Sequence, residues 1–195
     1  MIRYSSLSRG STLAELLVAV TILVTAVSSL VALSINNSCT ERQATERLVA
    51  GQLASEGIEV VRNIRDSNWL AGQPWDSGLV SDGQGIVRFD LMTGQWSFDD
   101  NPNTIEQAAL YQLGEFYSHQ FIISGQTPFS RLLYLDAVCA GDVFPETVSE
   151  PFTPGGRTCS NPDEQIGLRV ASHVRWTDQG GTFDTWLVDY LYDWR

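Results

Sequence analysis

Gly10-Ser-Thr-Leu-Ala-Glu15-Leu-Leu-Val-Ala-Val-Thr-Ile-Leu-Val-Thr-Ala-Val-Ser-Ser-Leu-Val-Ala-Leu-Ser-Ile35 is the stretch whose reading decides the fold. From Leu16 to Ile35 it runs twenty residues without a charge, a proline or a glycine. At 1.5 Å rise per residue such a helix covers roughly 30 Å, the thickness of a bilayer's hydrocarbon core. A soluble core helix of this length would carry a polar stripe. Here the polar groups are hydroxyls, of Thr21, Thr25, Ser28, Ser29 and Ser34, which can bond back to their own helix. The reading is a membrane segment. Arg3 and Arg9 both precede it, which puts residues 1–10 in the cytoplasm by the positive-inside bias and the remaining body on the other side.

A secretory signal fits poorly, because its apolar region is shorter and its small-residue cleavage site follows that region. In this chain the small-residue site, Arg9-Gly10-Ser11, comes first. Glu15 is a carboxylate at the apolar boundary, and a charge near the centre of a membrane helix costs roughly 3 kcal/mol on insertion scales. A cut after Gly10 would free an α-amine at Ser11, a group that ordinarily titrates at about 7.7–8.0, and leave Glu15 as the fifth residue of the mature chain. Amine and carboxylate lie one turn apart in one helix, and between neighbouring helices they can meet at one depth in a low-dielectric medium. Such a pair would set register between subunits, since a misaligned neighbour keeps a lone buried charge. Spacing alone supports equally a glutamate that caps the helix start and snorkels to the interface.

The stretch from Gly10 to Leu23 resembles the class III signal of type IV pilins and pseudopilins: a cleavage glycine, Thr12-Leu13, a glutamate at mature position five, then an apolar helix. The resemblance implies that a prepilin peptidase cuts after Gly10, that Ser11 becomes the N-methylated terminus, and that Glu15 is the assembly carboxylate. Ser11 stands where the family usually has Phe, and Ala14 where it has Ile or Leu. Ala32 stands where major pilins commonly place a helix-bending proline, which leans toward a minor pilin or a pseudopilin. Ser55-Glu56-Gly57 through Trp69, Thr127-Pro-Phe-Ser-Arg131, Val174-Arg-Trp176 and Tyr190 to Arg195 are similar to minor pilins of the PilV type. The implied partners are the peptidase, other pilin subunits, the pilus assembly platform and the cytoplasmic membrane.

Beyond the membrane segment, residues 40–65 keep helical periodicity, with Val49, Leu53, Gly57, Val60, Val61 and Ile64 on one face. Gly51 and Gly57 weaken an isolated helix, so both are read as close-packing positions against a sheet or a neighbouring helix. Asp66-Ser67-Asn68 is read as the stop, giving a helix from about Thr12 to about Arg65, roughly 80 Å long. The rest reads as strands, at 86–91, 119–124 and 131–138, closing with a hairpin of 168–176 and 182–192 around Thr177-Asp-Gln-Gly-Gly181. Pairing Trp176 with Thr182 sets Leu168 opposite Tyr190, Val170 opposite Val188 and Arg169 opposite Asp189. The fold class is therefore α+β, pilin-like, a long N-terminal helix packed on an antiparallel sheet. Its parts are a leader, 1–10, a membrane or filament-core helix, 11–36, and an extracytoplasmic body, 37–195.

Composition restricts function. The chain of 195 residues is 43% hydrophobic and rich in aromatics, which is incompatible with general disorder. Its net charge of −11, with every basic residue an arginine, opposes nucleic-acid binding. In an oxidising compartment the cysteines pair, and Cys139 with Cys159, flanking a Pro/Gly-rich loop, is the expected bridge, with pairings through Cys39 as the alternatives. The resemblance supports the first, since the family often carries a disulfide-bounded loop near its C-terminus. Cys39 is then read as a buried free thiol, with an intersubunit bridge as the other reading. His119 and His173 are the only histidines; no HExxH, GxSxG, complete GxGxxG or P-loop occurs, and no cofactor or metal is expected. His173 is read as a sheet-surface residue rather than a general base. Asp99-Asp-Asn101-Pro-Asn103 starts like a calcium loop, but Thr104 replaces its glycine and Leu110 its bidentate glutamate, so a turn is expected. The function expected is a non-enzymatic minor pilin-like subunit. The alternatives are a minor pseudopilin of type II secretion and an uncleaved single-span anchor presenting an extracellular binding domain.

Overall fold

The computed structural model describes residues 9–79, 82–102, 104–113, 116–119, 125–141, 158–161, 165–178 and 180–193. Residues 1–8 of the expected leader, 120–124 of one expected strand and 142–157 of the loop between the two cysteines lie outside them. The fold class is α+β: one helix, α1 (Arg9–Leu70), is followed by strands β1 (Asp82–Asp90), β2 (Gln95–Asp99), β3 (Ala109–Leu113), β4 (Phe116–Ser118), β5 (Gln126–Cys139), β6 (Gln165–Asp178) and β7 (Gly181–Tyr192). The chain divides into two compact units, residues 1–45 and 46–195, and α1 contributes to both.

In the second unit, β5 is the centre of an antiparallel sheet. Its residues 129–139 pair along one edge with β6, which pairs in turn with β7. The other edge is shared, β3 pairing with its beginning and β1 with residues 133–136. β2 and β4 extend β1 and β3 as short hairpin partners. Strand alternation gives β5 two faces. Phe129, Leu133 and Leu135 pack against α1, Arg131 bonds to it, and Leu132 and Tyr134 lie on the outer face with Ile86, Ile105 and Ala108.

The helix seats itself where its side chains are smallest or most apolar. Ala50, Leu53 and Ala54 bury against Leu110, Phe129, Val174 and Trp176, while Ile58, Val60, Val61 and Ile64 bury against Leu133, Leu135, Leu168 and Val170. Gly57 has the close-packing role expected of it: a Cβ there would lie 3.0 Å from Leu133 Cδ2 and from Ser172 Oγ. Gly51 does not, for it is exposed, and a Cβ added there would meet nothing within 4 Å. It lies on the face turned away from the sheet.

Asp66-Ser67-Asn68 does not stop the helix, which runs on to Leu70. Arg65 places its guanidinium 4.6 Å from the Trp69 ring one turn on, and Asn68 donates from Nδ2 to the carbonyls of Trp75 and Ser77, so Asn68 binds the last turn to the following loop. Termination falls at Gly72, at φ +70°: Gly72 N bonds Trp69 O and Gln73 N bonds Asn68 O, the paired bonds of a Schellman cap.

The closing hairpin exists, with a register one residue from that expected. Trp176 faces Phe183, Arg169 faces Tyr190, Val170 faces Asp189, and pairing continues to Asp178 and Gly181, which leaves two residues in the connection. Arg169 therefore does not meet Asp189. It reaches across the other edge to Asp136 Oδ2, at 2.6 Å, and Asp189 lies on the helix side, 2.5 Å from Arg62. The expected strand at 86–91 begins earlier, at Asp82, and β2 and β3 were not foreseen.

Cys139 and Cys159 form a disulfide, with Cα atoms 5.7 Å apart and twenty positions between them in sequence. It ties the end of the central strand to the segment that leads into β6. Chain-entropy reasoning puts its stabilisation at about 3 kcal/mol. Reduction, or the Cys139→Ser/Cys159→Ser variant, is expected to lower the unfolding free energy by that amount, read from urea titrations, while Cys39→Ser leaves it unchanged. Cys39 is exposed in the single chain, and the reading of it as buried is corrected accordingly. It lies on a helix that, in its own unit, has no sheet to cover it.

Candidate functional site

The feature of largest extent is the apolar half of α1. It is the one helix among the described residues long and apolar enough to cross a membrane, and none of its most apolar window is buried within the chain. Leu16, Ile22, Leu23, Leu30 and Ile35 are each about 60% exposed, a surface that water does not tolerate and that lipid or neighbouring helices would cover. Four hydroxyls of this surface are satisfied within the helix. Thr21 Oγ1 donates to Val18 O, Thr25 Oγ1 to Ile22 O, Ser28 Oγ to Val24 O and Ser29 Oγ to Thr25 O, each at 2.7–2.9 Å. At these four positions an apolar solvent meets no unpaired hydroxyl donor.

Gly10 and Ser11 lie in the first turns of α1. Glu15 follows one turn later, exposed, on a shallow helix face shared with Thr12, Leu16, Ala19, Val20 and Leu23. A carboxylate placed among these residues, with small Ala19 one turn away, can be approached closely by another helix.

Elsewhere the polar residues work inside the fold. Arg131, 1% exposed, donates from NH1 to Leu53 O at 2.9 Å and stands 3.5 Å from Glu56 Oε2. Sequence reasoning passed over this pair, although an arginine amid an apolar strand is the signal that could have found it. The Asp99 carboxylate lies 2.7 Å from Arg88 Nε and accepts the Asn101 backbone N–H at 3.0 Å, and Leu110 is fully buried core. Among the described residues no group of three or more His, Cys, Asp or Glu could hold a metal ion.

His173 is on the outer sheet face, as its strand position implies, but it is 4% exposed, covered by Trp186. The expectation of a surface residue omitted that cover. His119 has both ring nitrogens shut from solvent, and burial, then the charge of Arg131, pushes its pKa down to about 3. The unfolded chain binds this proton below about 6.5 and the folded one does not. Stability is therefore present above 6.5 and lost as pH falls toward 3, by up to about 1.4 kcal/mol per pH unit. His119→Gln is expected to flatten that slope in urea titrations between pH 6.5 and 4.

No family model, characterised protein or solved structure matches the chain.

Proposed function

We propose that the protein is a minor pilin-like structural subunit, cut by a prepilin peptidase after Gly10 and assembled into a type IV pilus-type filament through α1. The observation that carries this reading is the direct joining of the Gly10 to Glu15 signal to a helix with an uncovered apolar surface, in which the hydroxyls of Thr21, Thr25, Ser28 and Ser29 bond back to the helix. In this reading the helix is stored in the cytoplasmic membrane, leaves it on assembly, and exchanges lipid for neighbouring helices. The dispersion contacts are similar in both settings, so the charge of Glu15 and the small residues Ala19, Ala26, Ser29 and Ala32 decide register. The amine of Ser11 in a neighbouring subunit is the partner proposed for Glu15. The disulfide-closed sheet would be the part presented outside.

Co-expression with a prepilin peptidase tests the proposal, with intact mass and N-terminal residue as the readout. Loss of residues 1–10 to expose Ser11, abolished in Gly10→Val, is expected, together with the added mass of one methyl group. An uncut chain beside a prepilin that is cut in the same cells would favour instead a single-span anchor carrying an outer domain.

A further inference from the structure

His173, on β6, lies flat against the Trp186 ring of β7, with centroids 3.9 Å apart and planes 4° from parallel. Its Nε2 is 2.5 Å from Asp184 Oδ1. The same oxygen accepts from Arg175 Nε at 2.8 Å, and Arg175 NH1 reaches Glu106 Oε1 at 2.8 Å, in the turn where Gln107 N bonds Thr104 O. Tyr134 of β5 packs on Trp186, with centroids 5.4 Å apart. One imidazole thus touches a chain of contacts through β5, β6, β7 and the turn that covers the outer core with Ile105.

The two ring nitrogens differ sharply. With Nε2 donating to Asp184, Nδ1 carries the lone pair, and it is sealed from solvent without a hydrogen-bond partner. A second proton has no other place to go. It would create a charged N–H with no acceptor, among the costliest situations a polar group meets, and the attraction of the indole face for a cation offsets only part of that cost. Asp184 pulls the other way, but it is 37% exposed and shared with Arg175, whose positive charge opposes a second cation beside it. Glu106 adds a weaker attraction, and burial outweighs these pulls, so the His173 pKa lies below its ordinary value. The sign follows: the closed arrangement is complete above pH 6.5 and is lost as pH falls below it.

We propose that His173 is an acid-released latch of the outer sheet face, holding the Trp186 indole flat against β6 while neutral and releasing it when its Nδ1 takes a proton. The ring must turn from beneath the indole to bring Nδ1 to water, and the Asp184 contact that links β6 to β7 at this point goes with it. Tyr134 and Trp186, half-buried in the closed arrangement, then present more of their ring faces to solvent, an enlarged aromatic patch in acid.

The full chain in detergent micelles, labelled with 5-fluorotryptophan, permits a direct test by fluorine NMR from pH 8 to 4. One resonance, absent from Trp186→Phe, is expected to shift reversibly with a midpoint below 6.5. The shift should vanish in His173→Gln and persist in His119→Gln. A Trp186 resonance that does not move, moves with a midpoint above 6.5, or still moves in His173→Gln overturns the latch. Should His173→Gln fail to fold, imidazole nitrogen shifts of the unaltered chain decide: a neutral Nε2–H ring at pH 7 that gains its second proton together with the Trp186 shift supports the latch. A doubly protonated ring at pH 7 overturns it.

Discussion

Truncation of Leu133 to alanine is expected to cost the folded body about 2–5 kcal/mol, in the upper half of that range. Leu133 is 1% exposed at the middle of the central strand, and its Cδ2 is the atom against which the Gly57 turn of α1 rests. The spread among buried leucines reflects how well each site collapses around the missing atoms. This site is poorly able to do so. The cross-strand neighbours of Leu133 are Gly85 and Ser172, neither of which has a side chain long enough to lean into the gap. Nor can Gly85 move inward, because a Cβ built on it would already lie 2.1 Å from Asp99 O, which places the β1–β2 hairpin in direct backbone contact there. Leu133→Met, which keeps volume, is expected to cost less than about 1.5 kcal/mol. Urea unfolding followed by tryptophan fluorescence gives both numbers, as midpoint shifts at unchanged slope. A loss below about 1 kcal/mol for the alanine variant, under the usual range for a buried leucine, would mean that α1 does not depend on this strand for its seat.

The parts of the fold legible in the sequence are those whose signal is local and of one parity. The apolar half of α1 is a continuous run, and residues 49–64 repeat at three and four, so helix and sheet-facing stripe could both be read before any contact was known. The hairpin strands were legible too, but their register was not. On β7, Trp186, Val188 and Tyr190 alternate with Phe183, Leu187 and Leu191, so both faces carry large apolar groups and a one-residue slip gives a hydrophobic pattern as good as the true one. Turn length decided it, through three residues, Thr177, Asp178 and Gly181, that were counted as loop and belong to the ladder. β2 and β3 are five residues each and mix polar with apolar positions, so neither carries a clear alternation, and β3 in addition takes its place from β5, beyond its own hairpin. The same limit applies to Asp136 with Arg169, His173 with Asp184 and Arg175 with Glu106, which are contacts of topology. The Gly10 to Glu15 signal is the opposite case. It is wholly local in sequence, and in the proposed function the partner of its carboxylate belongs to another molecule.

Glu56→Leu is expected to destabilise the body by about 2–3 kcal/mol, at or below the usual cost of breaking a buried ion pair because Glu56 is itself 39% exposed. The residue that suffers is Arg131. It is the largest fully buried side chain among the described residues, and burial drives its pKa down while the Glu56 charge opposes that drive. Without Glu56 the guanidinium keeps Leu53 O but faces no negative charge, and its burial between helix and sheet keeps bulk water from taking that place. Removing the arginine instead should be far milder. Arg131→Met fills similar space with a flexible apolar chain, and the released Glu56 turns to the solvent it already touches, so a change within about 1.5 kcal/mol is expected. The Glu56→Leu/Arg131→Met double variant should then be more stable than Glu56→Leu alone, because the second substitution removes the charge that the first left stranded. This reversal separates the two roles the pair could have. If Arg131 stabilises chiefly through its charge pair, both single variants lose a similar amount and the double loses no more. If the arginine fills the space between Leu53 and Gly57 and Glu56 merely neutralises it, the double variant recovers what Glu56→Leu lost. The burial of Arg131 and the half-exposure of Glu56 favour the second outcome, and urea midpoints of the three variants distinguish them.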